Sequence, residues 1–401
     1  MDDIQQKFLQ LTQISLGFRT RFDVAPDEAQ WWAILAEAEK QKLKSFLFTG
    51  VDRLEDDQVA PFKPRSRFTA EAFRIAEKNA AMDHNAAEVS RMLSEQGRAS
   101  CVLKGQGAAM LYEHPERRQC GDIDIWVEGD TPQTIALLKA HWPVGNIVYH
   151  HADVKMIEGA EVEVHFHPTW MNDPFADRRL QRWFEDRAGK GFCNFREEKG
   201  FRVPDTTFNL VFSLVHIFRH IFYEGIGMRQ LVDYCHILMH STPEERREAY
   251  EFLKSIHLQR FCAALMWVMR DCLGLGMAGS EGGFCGGAGA DLADGVSGGA
   301  GGSELAGSAG GFCGGAKDGM LLCEPDEKAG RILIESVFQG GNFGKHDERN
   351  THRADEGLIS RIIRIARLRS RFALTYPREI LWSPYFKTWQ YLWRRRHGYV
   401  K

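Results

Sequence analysis

The sequence predicts an α+β protein, a small mixed-sheet core flanked by N-terminal and C-terminal helical regions. Three observations carry that reading. The first hundred residues follow a helical period. Residues 99–168 alternate short apolar runs with short helical patterns and end in a stretch of period two. From Pro204 the helical period returns and holds to about Leu273.

The elements follow in chain order. "PDEAQWWAILAEAEKQKLKSFLF" opens on Pro26 with acids behind it, a helix start. "SRFTAEAFRIAEKNAAMDHNAAEVSRMLSEQG" is one long amphipathic helix closed by Gly97. "ASCVLKG" is a strand running into a glycine, and "QGAAMLYEH" a short helix. "DIDIWVEG" is a second strand. "DTPQTIALLKAH" is a helix capped by Asp130 or Thr131 with Pro132 in its first turn. One weaker strand covers "NIVYHHADVKMIEG", and a last one alternates over Glu161, Glu163, His165 and His167. The expected organisation is therefore N-terminal helices over 1–98, an α/β core over 99–200 and a helical region over 201–273. A Gly-rich flexible insertion over 274–327 and a helical basic tail over 328–401 complete it. The insertion repeats "GGFCGGA" twice, and so much glycine cannot offset the entropy of ordering a packed core.

Bulk properties exclude several classes. Hydrophobic content of 44% and charged content of 26% are ordinary for a globular chain. A net charge of -3 gives no overall attraction to nucleic acid. Nine scattered cysteines contain no Cys-x-x-Cys pair, so thiols are expected rather than a zinc ribbon or a disulfide framework. "MDDIQQKFLQ" lacks the apolar core of a secretory leader, and "FNLVFSLVHIFRHIFY" is too short and too polar to span a membrane. A cytoplasmic protein is expected.

The chemistry concentrates in "CGDIDIWV". Strand geometry puts residues i and i+2 on one face, so Asp122 and Asp124 stand side by side and repel. Divalent cations convert that repulsion into coordination, and Mg²⁺ favours a few carboxylates plus substrate phosphates. On this reading alone, replacing either aspartate by Asn relieves repulsion and raises stability. A third acid on the alternating strand would complete a two-metal phosphoryl-transfer site. Glu161 and Glu163 share one face and both qualify, the apolar neighbours Val162 and Val164 favouring Glu163. Gly105 ends the first strand just before a helix, where backbone could approach phosphate oxygens.

The order "VLKGQGAAMLY…ERRQCGDIDIWV…VEVHFH" resembles the nucleotidyltransferase fold of the DNA polymerase β superfamily. Within it, Leu103-Lys104-Gly105, Arg118 followed by Asp122 and Asp124, and Glu163 with His165 are similar to the marks of a group of uncharacterised bacterial nucleotidyltransferases. The resemblance covers residues 85–170, with looser features at His216, His220 and Asp233. It implies an enzyme that moves a nucleoside monophosphate from an NTP to a hydroxyl acceptor with two Mg²⁺ ions. Asp122, Asp124 and Glu163 would be catalytic and metal-binding, Glu163 helping to take the acceptor's proton. Lys104, Gly105, Arg118 and His165 would be nucleotide-binding. Where the wider superfamily has Gly-Gly or Gly-Ser after the first strand, this chain has Gly105-Gln106.

Other readings stand beside these. His216 and His220, four apart on a helix, read more naturally as half-buried packing than as a metal pair. Asp233, polar in an apolar helix, either braces the core or faces water. Between Leu358 and Lys401 eleven Arg and Lys residues, with aromatics among the later ones, stand against the single acid Glu379. That tail suits a solvated face, an intramolecular contact, an anionic membrane surface or nucleic acid. The acceptor is left open among a small molecule, a glycan precursor, a protein and RNA. The rival to an enzyme is a catalytically inactive protein of the same fold that binds a nucleotide or a partner.

Overall fold

The computed structural model describes residues 1–191, 194–223, 225–276, 319–341 and 375–399. Four helices form the N-terminal part: α1 (Asp3–Ser15), α2 (Glu28–Gln41), α3 (Lys44–Arg53) and α4 (Phe62–Glu95). Asp27 caps α2 in a reciprocal box with Gln30. The run from Pro26 to Phe48, read from sequence as one helix, breaks at Lys42, which takes the left-handed conformation at φ 58°. Neither Gly nor Pro marks that break, so the periodicity runs through it. The long α4 ends as expected, with Gly97 left-handed just beyond it.

The core sheet has five strands: β1 (Ser100–Val102), β2 (Ile123–Val127), β3 (Val144–Ile147), β4 (His151–Val154) and β5 (Val162–His165). Their spatial order is β1-β2-β5-β4-β3, with β2 and β5 parallel and the other pairs antiparallel. Two short helices, α5 (Gln106–Ala109) and α6 (Thr131–His141), fill the connections. The stretch read as one weak strand is the β3–β4 hairpin, turned over Val148–His150. A second hairpin, β6 (Phe195–Arg196) with β7 (Phe201–Arg202), follows α7 (Pro174–Gly191). The architecture is α+β, with helices on both sides of a small mixed sheet.

Strand alternation divides the sheet chemically. Ile123, Ile125, Val162, Val164, Ala152 and Val154 pack on Met82, Ala86, Val89 and Leu93 of α4 and on Ile135 and Leu138 of α6. The opposite face carries Asp124, Trp126, Glu163, His165, His151 and Asp153. Trp126 packs there on Phe184 and stacks on Phe208, 5.5 Å between ring centroids, and so joins a second and larger core. That core merges the N-terminal helices with α8 (Thr206–Tyr223), α9 (Met228–Met239), α10 (Pro243–Ser255), α11 (Gln259–Trp267) and α12 (Glu327–Gly340). The polar part of the second face lies between these two apolar masses.

The Gly-rich insertion falls, from 277 to 318, outside the described residues, as do the tail's basic residues at 361–371 and 401. What is described of the tail, α13 (Pro377–Arg396), packs back on the core. Arg219 Nη1 donates to Glu379 Oε1 at 2.8 Å, both residues buried, and the backbone N–H of Asn172 donates to the same carboxylate. Phe386 stacks on Trp170, and Arg394 donates to Asn146 on β3. No helix among the described residues is long and apolar enough to cross a membrane.

Candidate active site

The parallel register of β2 and β5 sets Asp124 directly beside Glu163, and Asp122 stands one residue before β2. Oxygens of Asp122, Asp124 and Glu163 all come within 4.8 Å of one another. Glu161 is exposed and outside that group, so it is Glu163 that the sheet brings to the aspartates. The donor set is three carboxylates at short range, the hard-oxygen chemistry that suits Mg²⁺.

The turn after β1 closes the site from the other side. Leu103 N–H donates to the Asp124 carbonyl, which carries the chain into Lys104 and Gly105. Gly105 sits at φ 61°, and a Cβ there would stand 3.5 Å from the Asp122 carbonyl oxygen, so glycine is required by conformation. Gln106, the departure from a small pair, turns away and donates to Asp83 on α4. Lys104 Nζ lies 3.0 Å from Asp124 Oδ1 and 3.3 Å from His216 Nε2. His165 Nε2 lies 3.0 Å from the same Asp124 oxygen and 3.5 Å from Glu163 Oε2.

These cations explain how the acids coexist. Burial alone would push the Asp124 carboxyl up, but Lys104 and the His165 hydrogen bond bring it below its ordinary value. Glu163 falls to about 2, burial being outweighed by His165, His151 and Lys104. His165 rises to about 9 because its bonds to Asp124 and Glu163 exceed its own cost of burial. Burial and then Lys104 hold His216 well below 6.5.

Two cavities flank the acids. The smaller, about 50 Å³, is bordered by Gly105, Asp122, Arg118, Arg229, Ser213 and Asp233. Arg118 is buried, and its Nε and Nη2 donate to the two oxygens of Asp233 at 2.7 and 2.8 Å. Asp233 therefore braces the core from α9, with Tyr112 donating to it as well. Two of the three guanidinium nitrogens of Arg118 serve that pair; Nη1 is buried with no hydrogen-bond partner among the described residues. The larger cavity, about 310 Å³, lies on the Glu163 side. His150, His151, Trp170, Arg219, His216 and His220 line it, together with Phe386, Lys387 and Gln390 of α13. His216 and His220, read from sequence as packing, both border this space.

A profile of the family described as uncharacterised nucleotidyltransferases matches residues 27–274, more than half of the chain. The chain belongs to that family. No curated protein matches it. The match ends before α12 and α13, yet α13 supplies part of the wall of the larger cavity. Sequence reasoning missed His151, Arg229, Arg219 and the three α13 residues. The two adjacent histidines of "YHHADV" were a signal for the first, since His151 pairs with His165 across β4 and β5. Arg229 and Arg219 carried none, because helix packing brings them in from distant sequence.

Proposed function

We propose that the protein transfers a nucleoside monophosphate from an NTP to a hydroxyl on a small acceptor. The convergence of Asp122, Asp124 and Glu163 within 4.8 Å, beside a glycine turn in a chain of this family, carries the reading. The three carboxylates would hold two Mg²⁺ ions, which when bound supply charge neutralisation at the entering and leaving oxygens. Lys104 would stand by the phosphates as a point charge once an ion takes over Asp124. Gly105, with no side chain, would let the triphosphate approach the backbone, and Arg118 and Arg229 line the cavity on that side. The acceptor would occupy the 310 Å³ cavity, the scale of a small-molecule site, with Trp170 and Phe386 as its aromatic walls.

The acceptor oxygen bonds to the α-phosphorus as the bond from that phosphorus to the bridging oxygen breaks, and pyrophosphate leaves. Glu163, its carboxyl brought down to about 2, is suited to be a ligand rather than a base, so the hydroxyl proton passes to solvent. The test incubates the protein with each NTP, Mg²⁺ and pools of metabolites and measures pyrophosphate. Release that depends on one NTP and one acceptor fraction supports transfer. NTP-dependent thermal stabilisation with no pyrophosphate under any mixture would leave a binding protein instead.

A further inference from the structure

Beside the carboxylate cluster the structure holds a second group of donors. One ligand atom each from His151, Glu163 and His165 lie within 4.8 Å of one another, and Glu163 belongs to both groups. We infer that His151, Glu163 and His165 form a nitrogen-containing site for a borderline divalent ion of the Mn²⁺ or Zn²⁺ kind, next to the all-oxygen site and sharing Glu163 with it. Two imidazoles and one carboxylate make a donor set that favours transition ions over Mg²⁺. The inference rests on the acids being a metal centre, as proposed above.

The surroundings of the two rings point the same way. Histidines that bind metal characteristically donate their remote N–H to a carboxylate or carbonyl, which fixes the tautomer and aims the near lone pair. His151 Nε2 lies 3.3 Å from Asp153 Oδ1, while its Nδ1 lies 3.3 Å from Glu163 Oε2. His165 Nδ1 lies 3.3 Å from the His167 carbonyl oxygen, while its Nε2 faces Asp124 and Glu163. Each ring thus has its far nitrogen held by an oxygen and its near nitrogen directed at the shared carboxylate. The cross-strand pairs His151 with His165 and Asp153 with Glu163 fix this arrangement through backbone register. His150 Nε2 lies 2.9 Å from His151 Nδ1, so an incoming ion replaces that ring-to-ring contact.

Mn²⁺ added to the metal-free full chain tests the site, read by equilibrium dialysis and by pulsed electron paramagnetic resonance. Direct imidazole ligation gives a ¹⁴N modulation. The expected result is that modulation in the unaltered protein, reduced in His151→Ala and retained in Asp122→Asn. Asp153→Asn, at an exposed side chain that leaves the fold intact, is expected to weaken Mn²⁺ binding by about 10- to 100-fold. Mn²⁺ that binds without ¹⁴N modulation, or with equal modulation in His151→Ala, overturns the inference. No Mn²⁺ binding at millimolar concentration overturns both it and the metal part of the proposed function. Modulation in a protein that releases no pyrophosphate from any NTP supports the nitrogen site and removes the transferase reading alone.

Discussion

Lys104 Nζ lies 3.0 Å from Asp124 Oδ1, so the strand aspartate is already neutralised by the turn that precedes it. Asp124 is 2% exposed, whereas Asp122 is only partly buried. The expectation from sequence, that removing either charge relieves repulsion and raises stability, therefore holds for at most one of them. Asp124→Asn takes a partner from both Lys104 and His165 and is expected to cost about 3 kcal/mol. Asp122→Asn is expected to stay within about 0.5 kcal/mol of the parent. Both are expected to lower Mg²⁺-dependent pyrophosphate release by at least ~10²-fold. Urea unfolding beside the pyrophosphate assay separates the two, and equal stability losses would show that the Lys104 pairing contributes nothing.

The same cluster sets a pH window for the metal-free protein. His165 has a folded pKa raised to about 9 from 6.5, so its stabilisation is complete below pH 6.5 and is lost as pH rises through about 9. Glu163 has a folded pKa lowered to about 2 from 4.5, so its contribution is present above pH 4.5 and is lost as pH falls towards 2. Stability in EDTA is expected to peak between about pH 5 and 6.5 and to decline by roughly 3 kcal/mol on the alkaline side. His165→Gln is expected to flatten that alkaline limb. A decline of unchanged size in the variant would assign it to another group.

Arg118 and Asp233 form the second buried junction, between the segment leading into β2 and α9. Both oxygens of Asp233 are engaged, and Tyr112 donates to one of them. Asp233→Ala leaves the buried guanidinium uncompensated and is expected to destabilise the fold by about 3–5 kcal/mol. Arg118→Lys cannot make the two-point contact and is expected to lose more than half of that. Denaturant midpoints check both values. If Arg118→Lys keeps the stability but loses NTP-dependent thermal stabilisation, the arginine serves the nucleotide and not the brace.

The strand-borne acids were legible because strand period and burial coincide. "DIDIWV" and "VEVHF" alternate chemically, and their parallel register makes Asp124 and Glu163 neighbours. The break at Lys42 was hidden because a non-glycine residue adopts the left-handed conformation there. The β3–β4 hairpin was hidden for a different reason: its turn, "VYH", has neither Gly nor Pro to mark it. His151 was out of reach because its relation to Glu163 and His165 is set by cross-strand pairing, which periodicity does not reveal. Arg229 and Arg219 reach the cavities only through the packing of α9 and α8, a tertiary fact.

The basic tail was the least legible part, and its described helix supplies the last prediction. Glu379, the single acid in the stretch from 358 to 401, is buried against Arg219 and the Asn172 backbone at the edge of the larger cavity. A lone acid among many bases reads as incidental until its partner is known. Glu379→Ala leaves Arg219 without this carboxylate and is expected to cost about 3 kcal/mol of α13 docking. Amide hydrogen exchange is expected to lose protection over Pro377–Arg396 while α8 and α9 keep theirs. Phe386→Ala removes the ring that packs on Trp170, Tyr149 and Trp389, and with it an aromatic wall worth about 1.4 kcal/mol to a bound acceptor, and leaves the Glu379 anchor in place. It is expected to raise the acceptor KM about tenfold with kcat and NTP stabilisation little changed. An unchanged KM for every acceptor that supports pyrophosphate release would mean that α13 covers the cavity without touching its occupant.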